Sequence, residues 1–166
     1  MTKRIRCLSG DTQVLTDYGP MPIGLIVDKV MKLRALAYNR KTATFELQPI
    51  TKRFKCDYDD VMVRVALEGW GSVTVTRQHR FWSPKGPMRA DALKVDDVLY
   101  MRDVVSREGE PVDIISPVVV NDVAIVVSNR IVPVYNIEVE HLHNYLISTG
   151  SLGHIKLLSM NWNGHE

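Results

Sequence analysis

Apolar and polar side chains alternate along much of the chain. In residues 60–69, DVMVRVALEG, Val61, Val63, Val65 and Leu67 fall on one side, with Met62, Arg64 and Ala66 on the other. A period of two marks a strand with one buried face, because successive side chains leave opposite sides of a pleated backbone. Residues 72–76, SVTVT, alternate again after Gly69-Trp70-Gly71, so the two segments are read as a hairpin. In residues 132–140, VPVYNIEVE, apolar Val132, Val134, Ile137 and Val139 are broken by polar positions. Residues 118–127, VVVNDVAIVV, hold Asn121-Asp122 inside a β-branched run, and that pair is read as a turn. Helical patterning is confined to residues 22–33 and a short turn over residues 90–93.

Proline and glycine punctuate these strands at Gly19-Pro20, residues 84–87 and residues 109–111. Short strands with frequent turns predict an all-β fold, a sandwich or barrel-like sheet. Residues 106–116 combine charge, Gly and Pro and are read as a flexible insertion. Residues 160–166, MNWNGHE, lack a pattern and are read as a frayed tail.

Composition narrows the function classes. A chain of 166 residues suits one domain with ample core. With 21 basic and 19 acidic side chains, it shows no charge excess of the kind that serves nucleic-acid or membrane-surface binding. The longest apolar run, VAIVV at residues 123–127, is far short of the about 18 residues that a membrane helix needs. No apolar stretch follows the basic start MTKRIR, so no export signal is expected, and a cytoplasmic setting with reduced thiols is the default. Two cysteines, Cys7 and Cys56, are too few for a disulfide framework or a four-thiolate zinc site.

Three short segments hold chemistry-bearing residues: CLSGDT from Cys7, TRQHRFW ending at Trp82, and VYNIEVEHLHNYLISTG ending at Gly150. Taken singly, each has a plain structural reading. Cys7 could be a small buried residue and His79 a surface or core-edge imidazole, and the pair His141 and His143, spaced by two, is by itself more readily structural than catalytic. Cys56, in RFKCDYDD, is read as a partly exposed structural cysteine. The tryptophans Trp70 and Trp82 and the tyrosines are read as core and turn residues.

In order, however, C-L-x-G-D-T, T-x-x-H-x-F and V-Y-N-I-x-V-E-x-x-H-N-Y resemble the Hedgehog/intein (HINT) superfamily, in particular inteins and bacterial intein-like domains. The likeness runs from Cys7 to about His154 and takes in the L-K-x-x-D run from Leu93 to Asp97. No endonuclease segment fits between Leu99 and Pro133, so a minimal domain is expected. The resemblance implies a horseshoe-shaped all-β fold of two pseudo-symmetric halves with one or two short helices. It implies a six-residue N-terminal flank (residues 1–6), an autoprocessing domain over residues 7–155, and a tail over residues 156–166.

It also implies roles. Cys7 would attack the carbonyl of Arg6 and form a thioester. An unperturbed thiol titrates near ~8.5, so little thiolate is present at neutrality. Tethering can compensate, with effective molarities of roughly 10⁵ M or more for aligned groups. His79 would protonate the departing nitrogen and Thr76 would hold or polarise the bond. Asn136 stands where many inteins carry Asp; it cannot act as a base, though its amide can hydrogen-bond. His143 matches the late-motif histidine that assists at the downstream end, and His141 has no such match. The substrate would be the chain's own N-terminal flank, with water or a thiol as external nucleophile. A monomer without cofactor is expected. Cys7, His79 and His143 would suit an inhibitory zinc ion if they converged.

Counting on from His143, Ile155 falls where an intein carries its cyclising Asn, behind His154 as penultimate histidine. An aliphatic side chain cannot cyclise, so splicing there is excluded. Three readings follow: a domain that cleaves upstream without splicing, an intein disabled at its C-terminus, or a displaced cyclising residue at Asn161 or Asn163. The tail shows no strand pattern to hold such a bond, which favours the first. A competing class is a cysteine hydrolase acting in trans through Cys7 and His79, and another is a catalytically silent β-domain used for binding.

Overall fold

The alternating segments form strands, and the strands join into one curled antiparallel sheet. The computed structural model describes residues 5–69, 71–149 and 155–160, which hold fourteen strands. In chain order they begin with β1 (Leu8–Ser9), β2 (Gln13–Thr16) and β3 (Gly19–Pro22), followed by helix α1 (Ile23–Asp28). Next come β4 (Arg34–Asn39), β5 (Thr44–Tyr58), β6 (Met62–Leu67), β7 (Ser72–Thr76), β8 (Arg80–Ser83) and β9 (Gly86–Arg89). After a 3₁₀ turn at Ala90–Ala92 follow β10 (Val98–Arg107), β11 (Glu110–Val126), β12 (Val132–Val139), β13 (Asn144–Thr149) and β14 (Ile155–Met160). Side by side the strands run β10-β11-β6-β7-β1-β12-β5-β4-β2-β13-β14-β8-β9, with β3 on β2. β14 also pairs with β10, so the sheet curls back on itself.

Two long strands give the sheet its two-fold character. Thr44–Pro49 of β5 pairs with β4, and its remainder from Ile50 to Tyr58 pairs with β12. β11 repeats the device, pairing with β10 as far as Val119 and with β6 from Val120 to Val126. The register of β11 on β6 shifts between Val120 and Asp122. Asn121 therefore makes a bulge within a continuous strand, where a turn was expected. An extra residue bends and twists a strand without ending it, and β-branched neighbours favour that outcome.

Residues 106–116 likewise belong to a hairpin arm rather than a flexible insertion. β10 and β11 pair from Val98↔Val119 out to Arg107↔Glu110. Glu108 and Gly109 both have positive φ, as a two-residue hairpin turn requires. The Arg102 guanidinium meets Asp113 across the arm at 2.8 Å.

The predicted helix over residues 22–33 forms only at Ile23–Asp28. It closes by a Schellman arrangement, with Met31 N–H donating to Ile26 O at 3.0 Å and Val30 N–H to Val27 O at 3.2 Å. Val30 takes the left-handed position at φ 49°, where glycine is usual. α1 lies against the turn after β1, and Gly24 N–H donates to Gly10 O at 3.0 Å. A Cβ on Gly10 would sit 2.8 Å from the Tyr135 ring, which accounts for the glycine in CLSGDT.

The faces predicted as buried are buried: Val63, Val65 and Leu67 of β6 and Val73 and Val75 of β7 join Leu8, Ile137, Tyr145 and Ile147 in the main core. The sheet also extends past the boundary expected at Ile155. Lys156–Met160, expected in the tail, lie in β14, which pairs with β13 from Thr149↔Ile155 to Asn144↔Met160. IKLLSM does not alternate, and its partner strands supply the ordering that its own pattern lacks. No helix among the described residues is long and apolar enough to cross a membrane.

Candidate active site

The peptide between Arg6 and Cys7 lies inside the protein, although it precedes the first strand. Arg6 is buried and Cys7 is 1% exposed. β1 carries Cys7 in between β7 and β12, with Leu8 opposite both Val75 and Tyr135. Thr76, the last residue of β7, donates its backbone N–H to Cys7 O at 2.9 Å. Its hydroxyl accepts the Cys7 N–H at 2.9 Å and donates to Ile5 O at 2.7 Å. A single threonine thus brackets the bond, its hydroxyl receiving one hydrogen and giving its own.

Asn136 of β12 meets the other half of the same peptide. Its Nδ2 donates to the Arg6 carbonyl oxygen at 2.5 Å. Its Oδ1 accepts from Ile137 N–H at 2.8 Å and from the Tyr145 hydroxyl at 2.5 Å. Two donors on Oδ1 orient the amide, so the NH₂ group is the end that faces the carbonyl. A fixed donor on a carbonyl oxygen in a dry site is the arrangement that stabilises developing negative charge.

His79 follows the turn after β7. Its N–H donates to Thr76 O at 3.1 Å, and its own carbonyl accepts from Ala90 N–H at 2.8 Å. The imidazole is fully enclosed, edge-on to Phe81 at 5.0 Å between ring centroids. Nε2 is 2.8 Å from Ser159 Oγ, while Nδ1 has no hydrogen-bond partner. Burial pushes the imidazole down to about 3; the Arg6 backbone beside the ring opposes this and the Arg6 guanidinium adds to it. The ring is therefore neutral near pH 7. Burial also pushes the Cys7 thiol well up, with Cys56 a smaller influence in the same direction. A neutral thiol needs a base, and a neutral imidazole with an open nitrogen is one.

The structure thus brings Arg6, Cys7, Thr76, His79 and Asn136 together, and adds Tyr145, the last letter of the late motif but given no role there, and Ser159, which lies outside the motifs. The sequence signal for these two was slight: a tyrosine after His143-Asn144, and one serine in the apolar run IKLLSM. His143 is not part of this cluster. It is exposed, at φ 56°, in the turn between β12 and β13, and His141 beside it is exposed as well. Cys7, His79 and His143 therefore do not converge, and among the described residues no group of three or more His, Cys, Asp or Glu could hold a metal ion. Asn144 ties β13 to β4, its amide bonding both the N–H and the carbonyl of Tyr38. Cys56 is half-buried within β5, and both cysteines are free. His154, Asn161, Asn163 and Trp70 lie outside the described residues.

No protein-family model matches the sequence, and neither does any curated protein. Solved structures do match over nearly the whole chain. A bacterial intein-like domain from Clostridium thermocellum is 20% identical with a TM-score of 0.74, covering 95% of this chain and 99% of its own. The DnaX mini intein from Spirulina platensis is 21% identical with a TM-score of 0.69, over 94% of this chain and 100% of its own. A DnaB intein from Synechocystis is 16% identical with a TM-score of 0.65, over 95% of this chain and 99% of its own. The chain therefore has the HINT fold of mini-inteins and bacterial intein-like domains, at a length that leaves no room for an endonuclease.

Proposed function

We propose that the domain processes its own backbone by an N-to-S acyl shift at the Arg6–Cys7 bond. The carrying observation is the grip on that one peptide: Asn136 on the carbonyl oxygen, Thr76 on the amide, and the enclosed His79 ring against the Arg6 backbone. Nδ1 takes the proton from Cys7 Sγ, and sulfur attacks the Arg6 carbonyl carbon. The oxyanion draws on the Asn136 amide. As the C–N bond breaks, the imidazolium returns the same proton to the Cys7 nitrogen, leaving a thioester and a free amine. Water or an added thiol then opens the thioester and releases residues 1–6. The reaction runs within a single chain, with no cofactor.

The burial of Cys7 argues against a hydrolase acting in trans, since a foreign substrate has no approach to a sulfur enclosed with Tyr58, Met62 and Val134. The test is intact mass during incubation with dithiothreitol. Loss of residues 1–6 is expected, abolished by Cys7→Ala and strongly slowed by His79→Ala. A chain that stays whole for days near neutral pH with thiol present overturns the reading.

One observation favours a second activity at the other end. Ile155 opens β14, and β14 runs through Met160, whose next neighbour in sequence is Asn161. The tail therefore has the strand whose apparent absence had counted against a displaced cyclising residue. Asn161 would attack its own carbonyl through its side-chain amide, releasing an amine at Trp162. Loss of residues 162–166, blocked by Asn161→Ala, supports this; a C-terminus intact after N-terminal cleavage is complete leaves the domain as one that cleaves upstream only.

A further inference from the structure

We infer that the cavity between Trp82 and Tyr100 is a binding site for a small carboxylate on a flat apolar body, an aromatic acid in chemical class. The inference does not depend on the acyl shift, because it concerns the other side of β8. Phe81 turns into the main core, where its ring meets His79. Trp82, next along the strand, packs instead in a separate cluster with Tyr38, Tyr100 and Ile115.

The cavity forms where the curl of the sheet brings β4, β8, β10 and β11 together. Its volume is about 220 Å³, and Tyr38, Arg40, Trp82, Ser83, Tyr100 and Ile115 line it. A dry cavity of roughly 150 Å³ holds a benzene molecule, so this one has room for a single ring with a charged group beside it. Three aromatic side chains and an isoleucine supply the apolar contact, and offset stacking on the rings favours a flat ligand.

Two groups in the lining specify the charge. Trp82 Nε1 is buried and has no hydrogen-bond partner. An indole N–H can only donate, and buried donors are rarely left without an acceptor. The Arg40 guanidinium lies over the Trp82 ring, 4.2 Å from its centre, and pairs with no carboxylate among the described residues. Asp113, two positions from Ile115, is engaged with Arg102 at 2.8 Å. The Ser83 hydroxyl is taken as well, donating to Gly86 O at 2.7 Å. The lining therefore offers a cation and an indole donor but no anion. A carboxylate completes it, since its two oxygens suit the fork of a guanidinium. One cation matches a single negative charge better than the higher charge of a phosphate ester.

The test follows the indole N–H signals of the full chain by nitrogen-15 NMR. The chain has three tryptophans, and Trp82→Phe identifies the Trp82 signal by its loss. Benzoate should move that signal downfield and saturably, as the N–H gains an acceptor, with a Kd of about 1 mM or tighter, within reach of a single-ring ligand. Benzyl alcohol keeps the ring without the charge, and acetate keeps the charge without the ring. Each should bind about tenfold more weakly or worse, as should benzoate to Arg40→Gln. Arg40 is exposed, so that variant should fold, and an unchanged thermal midpoint verifies it. The site is overturned if the Trp82 signal shows no saturable shift up to about 20 mM benzoate. It is overturned equally if benzyl alcohol binds as well as benzoate, or if Arg40→Gln binds benzoate as tightly as wild type.

Discussion

The hydroxyl of Thr76 sits 2.9 Å from the amide nitrogen of Cys7 and accepts its hydrogen, while giving its own to Ile5 O at 2.7 Å. One side chain therefore satisfies two backbone groups that flank the Arg6–Cys7 peptide. Thr76→Val keeps the volume and strands both groups in a dry site, at about 1–3 kcal/mol of stability. In a Cys7→Ala background, urea unfolding should show that loss, and Thr76→Ser should retain most of the wild-type stability. In the reactive chain, cleavage by the Val variant should slow. A Val variant matching wild type in both stability and rate would remove Thr76 from the site.

Asn136 offers a separate test, because its two ends do different work. Asn136→Ala removes the donor on the Arg6 carbonyl, and cleavage should slow by about 10²-fold or more, the usual effect of deleting one oxyanion donor. Asn136→Asp retains an acceptor for Tyr145 and Ile137 but turns a second oxygen toward the carbonyl. That oxygen becomes a donor only when protonated, so the Asp variant should cleave slowly near neutrality and faster on mild acidification. Rates that rise with pH in the Asp variant, compared with wild type, would contradict a donor role at this position.

The state of His79 sets a pH dependence of stability. Its folded value, about 3, lies below the 6.5 of a free imidazole, and desolvation is the main cause. The unfolded chain thus binds the proton first. The contribution of His79 is complete above pH 6.5 and is lost as pH falls from there toward 3, with a slope of about 1.4 kcal/mol per pH unit. Chemical denaturation of the Cys7→Ala chain at a series of pH values should show this slope, and adding His79→Gln should remove it. An unchanged slope in that variant would show that the ring is not held neutral by burial.

Val30 gives a prediction remote from the site. It is 65% exposed and occupies the left-handed position that ends α1 at φ 49°. A side chain there costs roughly 1–2 kcal/mol, and a glycine offsets part of the relief by its freedom in the unfolded chain. Val30→Gly should stabilise the domain by about 0.5–1 kcal/mol, whereas Val30→Ala, which keeps a Cβ, should gain less. Equal thermal midpoints for wild type and Val30→Gly would show that the turn is not strained.

Much of this protein is determined by its sequence alone. The alternation of Val61, Val63, Val65 and Leu67, and of residues 72–76, set a hairpin with one buried face, because the period of a strand is local. Cys7, Thr76, His79 and Asn136 were legible as members of three short ordered motifs, and the structure places Thr76 and Asn136 on the peptide between Arg6 and Cys7. Tertiary structure decided everything that depended on a neighbour. Asn121 became a bulge because β6 lies alongside it, and residues 106–116 became a hairpin arm because β10 and β11 pair throughout. IKLLSM became a strand because β13 and β8 supply its hydrogen bonds, which moved the edge of the sheet from Ile155 to Met160. Nothing local marks Ser159 as the partner of His79, 80 positions away. A hydrogen bond needs atoms within about 3 Å, and only the closing of the sheet brings those two together.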